Sequence, residues 1–474
     1  MRKIHNYIIF SILLVIAGCS LGPKFQAPDM GEPQTFNSDS IPYDSLRSDT
    51  MLNLRWWEIF NDPTLEELIK TGLNNNKNVL IAASRIEEAR AALGFTKANS
   101  YPFFDFQAGA GTGNFSGARL AQVTNNFFVT PTLSWEIDIW GKYRSANLAA
   151  KAELLGSEAN LKAIQVELIS AISNTYFLLL DYQERLSISK STLKTRDNAL
   201  QIMQLKYDKG VIPEIDLNQA QIQRSIAAAA IPFYTRMVAY TQNSLSILLG
   251  QYPGEITSGK GIMSLEPELT IPSGMPSSLL ERRPDLLAAE QSAEAQNARI
   301  GIAIAQRFPS ISLTGSLGLA SSQLSSLTTE GLAWSAGASL LSPIFEFNKN
   351  KRRVEVEKAR AEQLLLIYEQ TALTAFKEVE NALVEIETRT QELEAYEIQA
   401  LAAMNAERLS QMRYDKGATS YLELLEAQRT AFSAQLQLSE NTQALLNAYV
   451  NLYKALGGGW ISKEEEQNAN QVGQ

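Results

Sequence analysis

Few side chains in this 474-residue chain have the types that chemistry needs. The single cysteine is Cys19 and the single histidine is His5, both near the N-terminus. That inventory excludes a Ser-His-Asp triad, a Cys-His pair, an internal disulfide and a zinc site of the usual ligands. Carboxylates remain. Glu423 and Glu426 stand three apart, which puts both on one helix face. Ser420-x-x-Glu423 also has the spacing of a capping box, in which the glutamate reaches back to the cap N–H. Two carboxylates hydrolyse a substrate only when they converge in a pocket, whereas a ring of them around a passage would attract cations and repel itself. No cofactor or metal is expected.

The elements that must position these glutamates are written twice. Tyr207-Asp208-Lys209-Gly210 returns as Tyr414-Asp415-Lys416-Gly417, 207 positions later. At the same offset Asn198-Ala199 becomes Asn405-Ala406, Ala220-Gln221 becomes Ala427-Gln428, and Leu245 with Gly250 becomes Leu452 with Gly457. Residues 73–102 lie on 280–309 without gaps, so one unit has been duplicated.

Each copy reads the same way. Asp62 can cap, and Pro63 can open, a short helix carrying Leu65, Leu68 and Ile69. A second helix runs from Leu73 toward Ala98 and ends before Pro102. After Pro102 and Pro309 the period changes from helical to two, giving strands at 104–110, 130–139, 310–319 and 332–340 with loops at about 114–126 and 320–331. Strands of about ten residues can cross a bilayer at a tilt, although a soluble sandwich alternates too. Tyr101, Phe103, Trp140, Phe308, Phe345 and Phe347 gather where strands meet helices, as an interfacial girdle would. Four strands cannot close a barrel and lipid does not tolerate open edges, so two, three or more copies are implied. Pro131 fits a closed ladder only at a bulge or near the membrane edge.

The second strand of each hairpin leads into a very long helix. Residues 142–206 contain no proline and 349–413 neither proline nor glycine, so each spans on the order of 100 Å. Apolar or small residues at spacings of three and four, such as Leu161, Ile164, Leu168 and Ala171, give coiled-coil packing. Two shorter helices, at about 72–98 and 214–249, match one long helix in combined length.

At the N-terminus, Arg2 and Lys3 precede an apolar run too short to span a bilayer, a secretory signal. Ile16-Ala17-Gly18-Cys19 resembles a bacterial lipobox, implying cleavage before Cys19 and acylation there, and Ser20 in place of aspartate favours outer-membrane delivery. Removing that segment takes the net charge from −9 to −11, which argues against nucleic acid. Segments follow: signal peptide 1–18, lipid-anchored extended segment 19–55, first repeat 56–260 (hairpin 102–140, helices 142–206 and 214–249), second repeat 261–457 (helix 277–305, hairpin 309–347, helices 349–413 and 419–456) and polar tail 458–474.

The chain resembles the outer membrane factor family of TolC-like export ducts, in the lipoprotein branch serving resistance-nodulation-division efflux systems. The resemblance is carried by Cys19 with Gly22-Pro23 and Pro28, Trp57 through Phe60-Asn61-Asp62-Pro63, Trp135 through Lys142, Glu281-Arg282-Arg283-Pro284-Asp285-Leu286 and both Tyr-Asp-Lys-Gly copies. It implies an α+β membrane protein: a long antiparallel α-helical barrel joined to a transmembrane β-barrel made of four strands per chain, from two tandem repeats. It further implies a homotrimer, a periplasmic adaptor, an inner-membrane transporter and outer-membrane lipid as partners. By resemblance Tyr207, Asp216, Tyr414, Glu423 and Glu426 match the periplasmic aperture, and Gly210, Val211, Gly417, Ala418 and Thr419 the tips that meet the adaptor. The type member has a basic residue shortly after the second glycine. Thr419 stands there, with Pro213 in the other copy, so a different link must tie the aperture. A lipid-anchored coiled-coil scaffold without a pore and a carboxylate-dependent hydrolase are the competing readings; the scaffold leaves both hairpins unexplained.

Overall fold

The computed structural model describes residues 21–26, 56–113, 123–265, 283–329 and 331–458. The expected signal peptide, Cys19, Glu281, Arg282 and the tail beyond 458 lie outside the described residues. The elements are helices α1 (Pro63–Asn75) and α2 (Lys77–Ala98), strands β1 (Phe103–Gly113) and β2 (Thr124–Ile137), helices α3 (Lys142–Asp208), α4 (Glu214–Leu248) and α5 (Pro284–Ala305), strands β3 (Ser310–Ser321) and β4 (Leu332–Leu341), and helices α6 (Lys349–Asp415) and α7 (Tyr421–Ala455). The halves match in length: α2 and α5 have 22 residues, α3 and α6 have 67, and α4 and α7 have 35.

Two compact units divide the chain, and each is described by itself. The first, residues 1–30, 84–159 and 287–371, holds one antiparallel sheet in the order β1-β2-β3-β4. Because directly paired residues share a face, the register sorts side chains without ambiguity. One face carries Phe104, Phe106, Val129, Leu133, Trp135, Ile311, Leu313, Leu317, Leu319, Leu332, Trp334 and Leu340. The other carries Asp105, Gln107, Thr130, Thr132, Ser134, Glu136, Ser312, Thr314, Ser316, Ser335 and Ser339.

Pro131 pairs with Phe106 on the β1 side, but the β2–β3 pairing skips Thr130 and Pro131 and resumes in the same register. That gap, rather than a bulge, accommodates the missing N–H. Gly318 makes it possible, since a Cβ there would meet the Val129 carbonyl at 2.3 Å. Strand β2 also starts earlier than the alternation suggests, because Phe128 lies over Gly109, where a side chain would collide with its ring. Trp135 Nε1 donates to the Ser100 carbonyl at 3.1 Å and Trp140 Nε1 to that of Pro309 at 2.7 Å, tying strand ends to helix ends. Asp138 accepts from the Tyr143 and Arg144 amides and so caps α3. In the N-terminal segment, the Pro23 carbonyl accepts from Asn297 Nδ2 at 2.8 Å, and Gly22 lies against Gly301.

The second unit, residues 31–83, 160–286 and 372–474, holds the largest core: Phe60, Leu65, Ile69, Ile172, Tyr176, Phe177, Leu179, Leu245, Ile262, Leu446 and Val450 among others. Asp62 caps α1 through the Thr64 amide and Pro63 is its first residue. Asp62 also accepts from the Tyr176 hydroxyl at 2.6 Å, and burial together with that bond raises the Tyr176 pKa.

The expected helix starting at Leu73 is instead divided at Asn76. This side chain caps α2 through the Asn78 and Val79 amides and donates to the Leu248 carbonyl at 2.8 Å, joining the end of α4 to the start of α2. One repeat later Arg283 donates to the Ala455 carbonyl at 2.7 Å, joining α7 to α5. Donor and acceptor have each moved by the same 207 positions.

Candidate functional site

Both Tyr-Asp-Lys-Gly copies end a long helix and reverse the chain. Gly210 has φ +70° and Gly417 φ +68°, a left-handed conformation that side chains resist. In the first copy the Gly210 amide donates to the Tyr207 carbonyl and the Val211 amide to that of Lys206, at 2.8 and 2.9 Å. In the second, Gly417 donates to Tyr414 and Ala418 to Arg413, at 2.9 and 2.8 Å. Each is a Schellman cap, so both reversals are fixed by local backbone bonds alone. Val211 and Ala418 are exposed, Thr419 is half-buried, and a Cβ on either glycine would meet nothing within 4 Å.

The two tyrosines differ. Tyr207 is exposed, whereas the Tyr414 hydroxyl donates to Met203 Sδ at 3.3 Å and its ring lies 5.5 Å from that of Tyr421. Lys206 Nζ sits 4.6 Å from the centre of the Tyr414 ring, a cation–π contact between repeats. Met203, Ala220, Tyr421, Leu424 and Leu425 form the apolar cluster beneath, and burial pushes the Tyr421 phenol up to about 12.

Asp216 and Glu423 occupy the first turns of α4 and α7. The capping-box expectation for Ser420 and Glu423 is overturned. Ser420 is the N-cap residue but makes no side-chain cap bond, while Glu423 accepts from Arg413 Nη1 at 2.8 Å and from the Thr419 hydroxyl at 2.5 Å. The guanidinium adds to its hydrogen bond the attraction between two full charges, which a neutral backbone N–H lacks. Glu426 is exposed and lies 3.3 Å from Arg429. Both glutamates line an open groove of about 520 Å³ with Ala403, Ser410 and Thr430. Lys206 and Asp216, the repeat equivalents of Arg413 and Glu423, take no such arrangement, since Lys206 is used on Tyr414.

Sequence reasoning missed Arg413 and Lys206 as partners at the tips and Asn76 with Arg283 as helix joints. The shared 207-residue offset could have flagged the last two. Among the described residues no group of three or more His, Cys, Asp or Glu side chains is arranged to hold a metal. Of the expected girdle, Tyr101, Phe103, Phe308, Phe345 and Phe347 are exposed, and Trp140 is half-buried and stacked on Phe308.

A duplicated helical chain with one amphipathic four-stranded sheet defines a membrane-channel class, and comparison with known proteins gives it a family. The outer membrane efflux protein model matches twice, over residues 68–251 and 275–458, again 207 apart. The probable outer membrane lipoprotein SilC of Salmonella typhimurium is 32% identical over 95% of this chain and 98% of its own length. The solvent efflux pump outer membrane protein SrpC of Pseudomonas putida is 33% identical over 94% and 97%. The cation efflux system protein CusC of Escherichia coli is 31% identical over 95% and 98%. A solved structure of the CusC channel superposes with a TM-score of 0.84 at 30% identity, covering 93% of this chain and all of that one. The chain belongs to the outer membrane efflux protein family.

Proposed function

We propose that this chain, as the outer-membrane channel of a tripartite efflux pump, works as a homotrimer anchored by lipid at Cys19. Its passive duct opens at the α3–α4 and α6–α7 turns when a periplasmic adaptor and an inner-membrane resistance-nodulation-division transporter engage. The observation that carries this reading is the sheet: four strands, one face apolar except near one end, where Thr112, Asn125 and Ser321 lie, and two edges, β1 and β4, without partners among the described residues. Unpaired edges do not persist in lipid, so copies must close the sheet, and three copies make a twelve-stranded barrel with the Ser and Thr face inward. A second surface supports oligomerisation. Ile215, Ile222, Ile226, Phe233, Tyr240 and Ile247 are exposed on α4 at a largely seven-residue spacing, the pattern of a helix seam awaiting a neighbour.

Under this reading Glu423 and Glu426, repeated by the trimer, ring the entrance with six carboxylates. Arg413 and Arg429 partly offset them, and Thr419 serves as a hydrogen-bond donor to Glu423 in place of the family's basic residue. Because Glu423 holds Arg413 and Thr419 at the turn, its loss loosens the tip, and the Glu423→Ala, Glu426→Ala double variant should give higher and less cation-selective conductance in planar bilayers. Unchanged conductance and selectivity would remove the gating role. SrpC and CusC carry solvent and cation in their names and stand at almost equal identity to this chain. Identity therefore does not choose between these substrates for this chain, and a passive duct leaves that choice chiefly to its transporter.

A further inference from the structure

Arg196, on α3 above the first tip, is only 4% exposed and reaches into the second repeat. Its Nη2 donates to the main-chain carbonyl of Gln428 on α7 at 3.1 Å and lies 3.8 Å from the carboxylate of Glu407 on α6. Its Nη1 is buried without a hydrogen-bond partner among the described residues. A separation of 3.8 Å is attraction without a hydrogen bond, so desolvation of the guanidinium is poorly offset. Burial lowers the Arg196 pKa and raises that of Glu407, outweighing their mutual attraction.

The duplication supplies an internal control. One repeat away, the place of Arg196 is taken by Ala403 and that of Glu407 by Leu200, both apolar. Ala403 is buried among Ala400, Ala431 and Ala434, and Leu200 packs on the Met203 cluster. The same scaffold thus has an apolar residue at each equivalent position, yet Arg196 of the first repeat and Glu407 of the second form a poor ion pair instead. Local rules are broken in this way mainly where function requires it.

We propose that Arg196 and Glu407 are a built-in destabiliser of the packed tip, keeping α6 and α7 weakly tied to α3 so that they part readily when the entrance opens. The proposal rests on reading the tips as that entrance. Replacing a buried ion pair by apolar residues is commonly stabilising, whereas removing one partner strands a buried charge.

The test uses full-length trimers in planar bilayers, with and without the adaptor. R196M/E407L should lower basal conductance by about tenfold and require more adaptor for the same opening. E407Q should raise basal conductance, because Arg196 loses its counter-charge. A purely structural role would shift melting temperature in these opposite directions while leaving conductance and adaptor demand unchanged. Wild-type conductance that ignores the adaptor overturns the entrance reading. A wild type that responds, beside an R196M/E407L variant that responds identically, overturns the destabiliser alone. Should the double variant fail to assemble, E407Q conductance at or below wild type overturns it.

Discussion

Glu423 shows how a side chain with a correct local spacing can be claimed by a distant partner. Ser420-x-x-Glu423 satisfies the sequence pattern of a capping box, but only the reversal at Gly417 returns Arg413 to within 2.8 Å of the carboxylate. Nothing in a linear pattern reports that. Arg283 was similarly opaque: it falls in a recognisable stretch of sequence, yet its task appears only when Ala455 is seen beside it. There Arg283 also holds Asp285 at 3.0 and 2.7 Å and Glu378 at 2.8 Å. Burial pushes the Asp285 carboxyl up, but the bonded guanidinium outweighs it and keeps the group below the ordinary carboxylate range. A carboxylate so held adds stability above its unfolded pKa and loses it as pH falls through the folded value. Asp285→Asn should therefore lower the melting temperature at neutral pH, and the gap to wild type should close as pH drops below ~4. A gap independent of pH would mean that Asp285 acts through packing alone.

Among the elements, the long helices and the hairpins were legible because each has a dominant period and clear punctuation at Pro102, Pro309, Gly210 and Gly417. The boundaries that shifted were those set by partners. The start of β2 depends on the space that Gly109 leaves for Phe128, and the break between α1 and α2 on a carbonyl 172 residues away. The tips themselves are autonomous, closed by their own backbone bonds with open space around each glycine. Bulky substitutions at Gly210 and Gly417 should thus cost only about 1–2 kcal/mol each in backbone strain. Trimers should form normally while adaptor crosslinking and export are lost. Normal export by the Gly210→Trp, Gly417→Trp variant would show that the adaptor does not meet these turns.

For the whole molecule, the channel and scaffold readings differ in what the sheet must do. A Cys19→Ala protein lacks the lipid, so a periplasmic scaffold carrying this sheet would become soluble without detergent while its β signal by circular dichroism stayed. The channel should still need detergent and keep that signal, because the apolar face formed by Phe104, Leu133, Leu313 and Trp334 remains. Solubility without detergent would end the barrel reading. The joints at Asn76 and Arg283 carry a different kind of consequence. Each joint lies within one repeat, Asn76 to Leu248 in the first and Arg283 to Ala455 in the second, so the 67-residue long helix of a copy and the 35-residue helix that follows it must keep matched lengths. A heptad inserted into one of the two alone would leave the joint a full two turns from its carbonyl. Length in either copy can therefore change only by paired events, and viable chimaeras between relatives should be those that keep each long helix with the helix that follows it.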